Sequence, residues 1–195
     1  MGINRTESIS SLIPFYKQTE VGYCHPACVK MVIDYAIKVL GVKQKALSLK
    51  TIANTSKTHP MGGTVRENIE LINTLLTDSV PQIQFQTLLS ARLDDIKQEL
   101  DDKRPVIAWI NIAPSVLDTV MHAVVITDYD PVNFEIKYID PEMTEEHHTM
   151  KVSIGKFLDE KLGVEGRIIK LNISSIGQKD LIGGVKPYSR RKENE

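Results

Sequence analysis

Apolar residues are unevenly spread along this chain, and their spacing changes character near its middle. Across residues 26–40 they occupy most faces of a helical period, with Lys30, Asp34 and Lys38 as the only charged stripe. A helix apolar on nearly every side is a buried one, so the pattern predicts a central helix that Gly41 ends. Ser48 predicts a cap for a short helix through Ile52 and Ala53. Thr64 with Glu67 three residues later predicts a capping box, for a helix with Ile69, Ile72 and Leu76 on its core face. Beyond residue 80 the period shortens to two. Ile83, Phe85 and Thr87 alternate with glutamines, as in a half-buried strand, and a polar helix follows over residues 90–102. Residues 105–110 are a continuous apolar run with β-branched and aromatic members, which predicts a central strand. His122 opens another buried strand, Asp130-Pro131-Val132-Asn133 is turn chemistry, and residues 134–140 alternate back. A strand opened by His147-His148, a helix capped by Ser153 and a last strand over residues 167–173 complete the pattern. The expected class is α+β: a central N-terminal helix packed on an antiparallel sheet.

The chain has 195 residues and 42% hydrophobic content, enough for one core. The expected organisation is an N-terminal arm over residues 1–13, one domain over 14–175, and a polar tail over 176–195. Its formal net charge of -1, with signs interspersed, gives no reason to expect nucleic acid as a partner. No apolar run approaches the ~18 residues of a membrane span, and the N-terminus lacks the apolar stretch of a signal peptide. A cytoplasmic location is expected, where two cysteines four residues apart stay reduced.

Chemistry concentrates in Gln18-Thr19-Glu20-Val21-Gly22-Tyr23-Cys24-His25-Pro26-Ala27-Cys28. Pro26 suits a first helical turn, which places Cys24 at the helix entrance. There the helix dipole and free N–H groups favour a thiolate, the nucleophilic form of sulfur. Cys28, deeper among Val29, Met31 and Val32, reads as an inert small hydrophobe. The Gln18 amide and the Cys24 N–H can serve the oxygen of a tetrahedral intermediate. The hairpin supplies a base independently. With its turn centred on Pro131, His122 and Asp140 are equidistant from it and sit directly opposite on one face. Asp128 shares that face but lies roughly 20 Å along the strand.

Rival chemistries lack their signatures. Neither Cys24, His25 and Cys28 nor Asp140, Glu142, His147 and His148 has a recurrent zinc spacing, so no metal is expected. No cofactor is expected either: there is no P-loop and no G-x-G-x-x-G after a strand, and no G-x-S-x-G elbow holds a serine.

The pattern Gln18-x5-Cys24-x-Pro26-Ala27, then Gly63-Thr64, residues 104–110 (Arg-Pro-Val-Ile-Ala-Trp-Ile), His122 to Asp130, and Tyr138-Ile139-Asp140-Pro141 resembles the C39-like peptidases of the papain-like superfamily. The resemblance runs over residues 14–162. It implies a papain-like fold with Cys24 as nucleophile, His122 as general base and acid, Asp140 as orienting carboxylate and Gln18 in the oxyanion hole. It implies peptide or protein substrates, with Gly62, Gly63, Tyr23 and His25 at the substrate cleft. In one respect the chain departs: members commonly carry Asp-Cys-Gly-Pro where it has Tyr23-Cys24-His25-Pro26. A bulky His25 there narrows the cleft or adds a second imidazole. The expected activity is cysteine peptidase or amide hydrolase; the alternative is a catalytically weak C39-like domain that binds peptides without cleaving them.

Overall fold

The computed structural model describes residues 7–60, 63–64, 68–113, 120–162 and 166–174. The expected tail at 176–195 and the first six residues of the expected arm lie outside them. Helix α1 (Ile9–Leu12) is a short turn whose Ile9 enters the core, so this part of the arm belongs to the packed body. Helix α2 (Cys24–Lys38) is the buried helix that the pattern predicts, with twelve of its fifteen residues in the interior. Its charged stripe is exposed to solvent only at Lys38. Asp34 is buried, and Lys30 reaches it at 2.9 Å. Gly41, at φ +72°, turns the chain away after the helix.

Helix α3 (Leu49–Thr55) is capped by Ser48, whose hydroxyl accepts from the Thr51 N–H at 3.0 Å. Helix α4 (Ile69–Asn73) is shorter than the capping box predicts. It starts after Asn68, and the Thr64 hydroxyl instead bonds that of Thr58 at 2.6 Å; Glu67 lies outside the described residues. Strand β1 (Gln82–Leu88), helix α5 (Leu93–Asp101) and strands β2 (Val106–Asn111), β3 (Met121–Asp130), β4 (Glu135–Ile139) and β5 (Thr149–Ser153) follow. A single turn α6 (Ile154–Lys156), capped by Ser153, runs into a π-helical segment (Phe157–Leu162), and β6 (Ile168–Ser174) ends the described chain. None of the described helices is long and apolar enough to cross a membrane.

The six strands form one antiparallel sheet in the order β1-β6-β2-β3-β4-β5. The last strand is inserted between β1 and β2. That places β2 and β3 at the centre, where residues 106–110 and 122–127 are all buried. Central strands buried on both faces read as continuous apolar runs, which is why both were legible in the sequence. Helix α2 packs against β3.

The β3–β4 hairpin differs from its expected register. Its turn is centred between Val132 and Asn133, with Asp130 opposite Glu135, and the register shifts between Ile126 and Asp128 so that Ile126 faces Tyr138. Carried one residue beyond the strand, this register sets Asp140 opposite Val124, diagonal to His122 and on its face. An uninterrupted ladder from the same turn would have set Asp140 opposite Val125, on the other face. Absorbing Thr127 as an extra residue restores the parity.

Candidate functional site

Cys24 is the first residue of α2 and is only 7% exposed. Tyr23, half-buried, precedes it at the N-cap without capping through its side chain. The entry loop is shaped by glycine. The Gly22 N–H donates to the Pro60 carbonyl at 2.7 Å, and a Cβ at Gly22 would come within 2.3 Å of the His59 carbonyl oxygen. No side chain fits there. Gly63, at φ +70°, closes the facing turn through reciprocal backbone bonds with His59 at 2.8 and 2.9 Å. Gly62 lies outside the described residues. A Cβ at Gly22 would also come within 2.8 Å of the Gly63 N, so the Gly22 and Gly63 backbones lie against each other. The sequence signal for this approach was a glycine two residues before the cysteine.

His122, 5% exposed on β3, meets the carboxylate of Asp140 at 2.7 Å from Nε2 to Oδ1. Burial works to lower the imidazole's pKa, but hydrogen bonds with Asp140 and with Cys24, and the charges of both, raise it to about 10. The ring is therefore an imidazolium at neutral pH. The carboxylate is itself held, because the Glu142 N–H donates to Asp140 Oδ1 at 2.9 Å and the Asp140 N–H donates to the His148 carbonyl at 2.9 Å. Gln18 joins the same corner through its backbone, whose N–H donates to the Pro141 carbonyl at 2.8 Å. Its side-chain Oε1 is buried and has no hydrogen-bond partner among the described residues.

Two neighbours of Cys24 on α2 are buried. Cys28 is fully buried, and its thiol is pushed well up, first by burial and then by the charges of Cys24 and Asp140. His25 is 1% exposed and stacks on Trp109 with ring centroids 5.4 Å apart. The structure thus places His25 in the interior, where the sequence led us to expect a cleft-lining side chain. Pro26 and Ala27 continue the helix directly, so position 25 already turns inward with the buried face. Neither ring nitrogen finds a partner among the described residues, and burial pushes the imidazole down to about 4. At neutral pH it carries no charge.

Among the described residues, one group of side chains has the composition of a metal site: donor atoms of His122, Asp140 and Glu142 lie within 4.8 Å of one another. What the corner can do is keep a sulfur, a protonated imidazole and a carboxylate together, with an unpartnered amide oxygen on the adjoining segment.

A family model described as the Peptidase C39 like family matches residues 11–161. The fold is shared with the crystal structure of a Bacillus anthracis protein designated a C39-like peptidase. The TM-score is 0.62 and the identity 17%, over 86% of this chain and 98% of that one. No curated protein matches the sequence. With its sheet antiparallel and its family match spanning most of its length, this chain belongs to the C39-like peptidase family.

Proposed function

We propose that the protein is a cysteine peptidase or amide hydrolase in which Cys24, His122 and Asp140 form the catalytic triad and Gln18 completes an oxyanion hole. The observation that carries this reading is the position of the His122 ring, bonded to Asp140 at 2.7 Å on one side and partnered by Cys24 as well. With Nε2 engaged by the carboxylate, Nδ1 is the nitrogen left for sulfur.

In the mechanism, the Cys24 thiolate forms a bond to the scissile carbonyl carbon and the carbonyl π pair moves onto oxygen. The Cys24 backbone N–H and the Gln18 amide, turned so that Nε2 takes the inner position, donate to that oxygen. As the C–N bond breaks, the imidazolium gives its proton to the leaving amine. Neutral His122 then takes a proton from water, and the hydroxide displaces sulfur from the thioester, restoring the ion pair. Asp140 fixes the ring's orientation and stabilises its charge. Peptides are the substrate class that family membership supports.

The test is thiol alkylation against pH in the folded protein, with the modified residue located by mass spectrometry, followed by turnover of a peptide library. Cys24, and not the buried Cys28, should be the residue alkylated. His122→Ala should slow that alkylation and change its pH dependence. A Cys24→Ala protein that still cleaves peptides would refute the triad, and reactive Cys24 without turnover would leave a peptide-binding domain.

A further inference from the structure

We propose that Tyr16, through its hydrogen bond to Asp34, is a positioning residue for Gln18, and that Phe15 stacked on His148 is the second point of the same clamp. The inference rests on the catalytic reading of Gln18 given above. It starts from the fact that residues 14–18 belong to no helix or strand. A stretch without a ladder gains nothing regular to offset its ~1–2 kcal/mol of backbone entropy per residue. Something else must hold it.

Two successive side chains of the stretch are held by different elements. Phe15 stacks on His148 with centroids 4.4 Å apart, against the segment that accepts the Asp140 N–H. The Tyr16 hydroxyl donates to Asp34 Oδ2 at 2.6 Å, a short charge-assisted bond. Lys30 donates to the same oxygen at 2.9 Å and to the Leu47 carbonyl at 3.0 Å, while its ammonium lies 4.3 Å above the Tyr16 ring. Burial and the Asp34 carboxylate push the Tyr16 hydroxyl up to about 12, so it remains a donor wherever the enzyme works.

Asp34 belongs to α2, the helix that begins with Cys24. The clamp therefore references Gln18 to the rigid body that carries the nucleophile, and the Gln18–Pro141 backbone bond references it to the Asp140 turn. A displacement of about 1 Å in such a donor costs on the order of 100-fold in rate. A side chain two residues away from the donor is thus placed to control it.

The experiment compares Tyr16→Phe, Gln18→Ala and the double variant on a peptide substrate. Tyr16→Phe should lower kcat about tenfold to 100-fold with KM little changed, and should cost nothing further in the Gln18→Ala background. Alkylation of Cys24 by iodoacetamide passes through no oxyanion, so its rate should not change. A full additional loss in the Gln18→Ala background, or alkylation that slows together with kcat, overturns the proposal. Hydrogen exchange supplies a readout independent of turnover. The Gln18 N–H should exchange faster in Tyr16→Phe while the backbone of β3 does not, and unchanged exchange refutes the clamp. Faster exchange in a protein that cleaves no peptide upholds the clamp and refutes the catalytic reading instead. If Tyr16→Phe fails to fold, Phe15→Leu carries the same measurements from the second point of the clamp.

Discussion

The two walls of the site are built by different means. On the strand wall, His122 and Asp140 hang from neighbouring strands whose ladder fixes their separation, and two further backbone bonds hold Asp140. On the helix wall, Cys24 heads a buried helix, while Gln18 rides on a segment with no ladder and is held by the Phe15, Tyr16 and Pro141 contacts. The first wall is stiff because neighbouring hydrogen bonds would have to break together. The second depends on individual contacts, so single substitutions should move it. The walls also differ in charge: the imidazole of one is held protonated, that of the other neutral.

The largest effect should come from the strand wall. Asp140→Asn keeps the shape but removes the charge, and should cost about 10,000-fold in kcat, the order seen when a triad carboxylate is neutralised. The same variant sharpens the pH dependence. His122 titrates near 10 when folded, above the ~6.5 of a free imidazole, so its contribution to stability is complete below that lower value and is lost as pH rises through 10. Urea unfolding from neutral to alkaline pH should show this decline in the wild type and a smaller one in Asp140→Asn. The alkaline limb of kcat/KM should shift to lower pH with it.

Next in size is Gln18→Ala, expected to lower kcat by about 100- to 1,000-fold, as for loss of one oxyanion donor, with KM little affected. Steady-state kinetics on one peptide decide it. An equal rise in KM would mean that Gln18 binds the ground state instead.

Acid should loosen the helix wall rather than the strand wall. His25 titrates near 4 when folded against ~6.5 when free, so the unfolded chain takes up a proton that the native one refuses. Stability therefore falls as pH drops between these values, by roughly 3 kcal/mol in full. His25→Phe keeps a ring against Trp109 and should flatten this slope in unfolding measurements across that range. Smallest is Cys28→Ala, which removes one buried sulfur one turn below Cys24. It should lower stability by about 1–2 kcal/mol and leave kcat unchanged, as thermal unfolding and turnover would show.

Much of this contrast could be read from the chain. The buried helix, the alternating strand at Ile83 and Phe85, the two apolar central strands and the Ser48 cap are all local patterns. Their physical cause lies within a few residues. The pairing of His122 with Asp140 was also legible, though through the wrong register. The turn lies farther along the chain than Pro131 implies, and the bulge at Thr127 corrects the face, so two displacements leave the parity intact. A bulge has no reliable signature in sequence, because what it satisfies is the packing of the whole strand.

Other features were not legible for the same reason. Asp34 looks like one member of a charged stripe until Tyr16 and Lys30 are brought to it. His25 looks like a cleft residue until Trp109, more than eighty positions away, covers it. Gly22 looks like an ordinary turn glycine until the His59 carbonyl arrives where its Cβ would be. By itself the sequence determined which chemical groups are present and which element or turn carries each, since helical and strand periodicities act over short range. Tertiary structure decided which groups are buried together and in what charge state, because desolvation and partner distance depend on segments that meet only when the chain is folded.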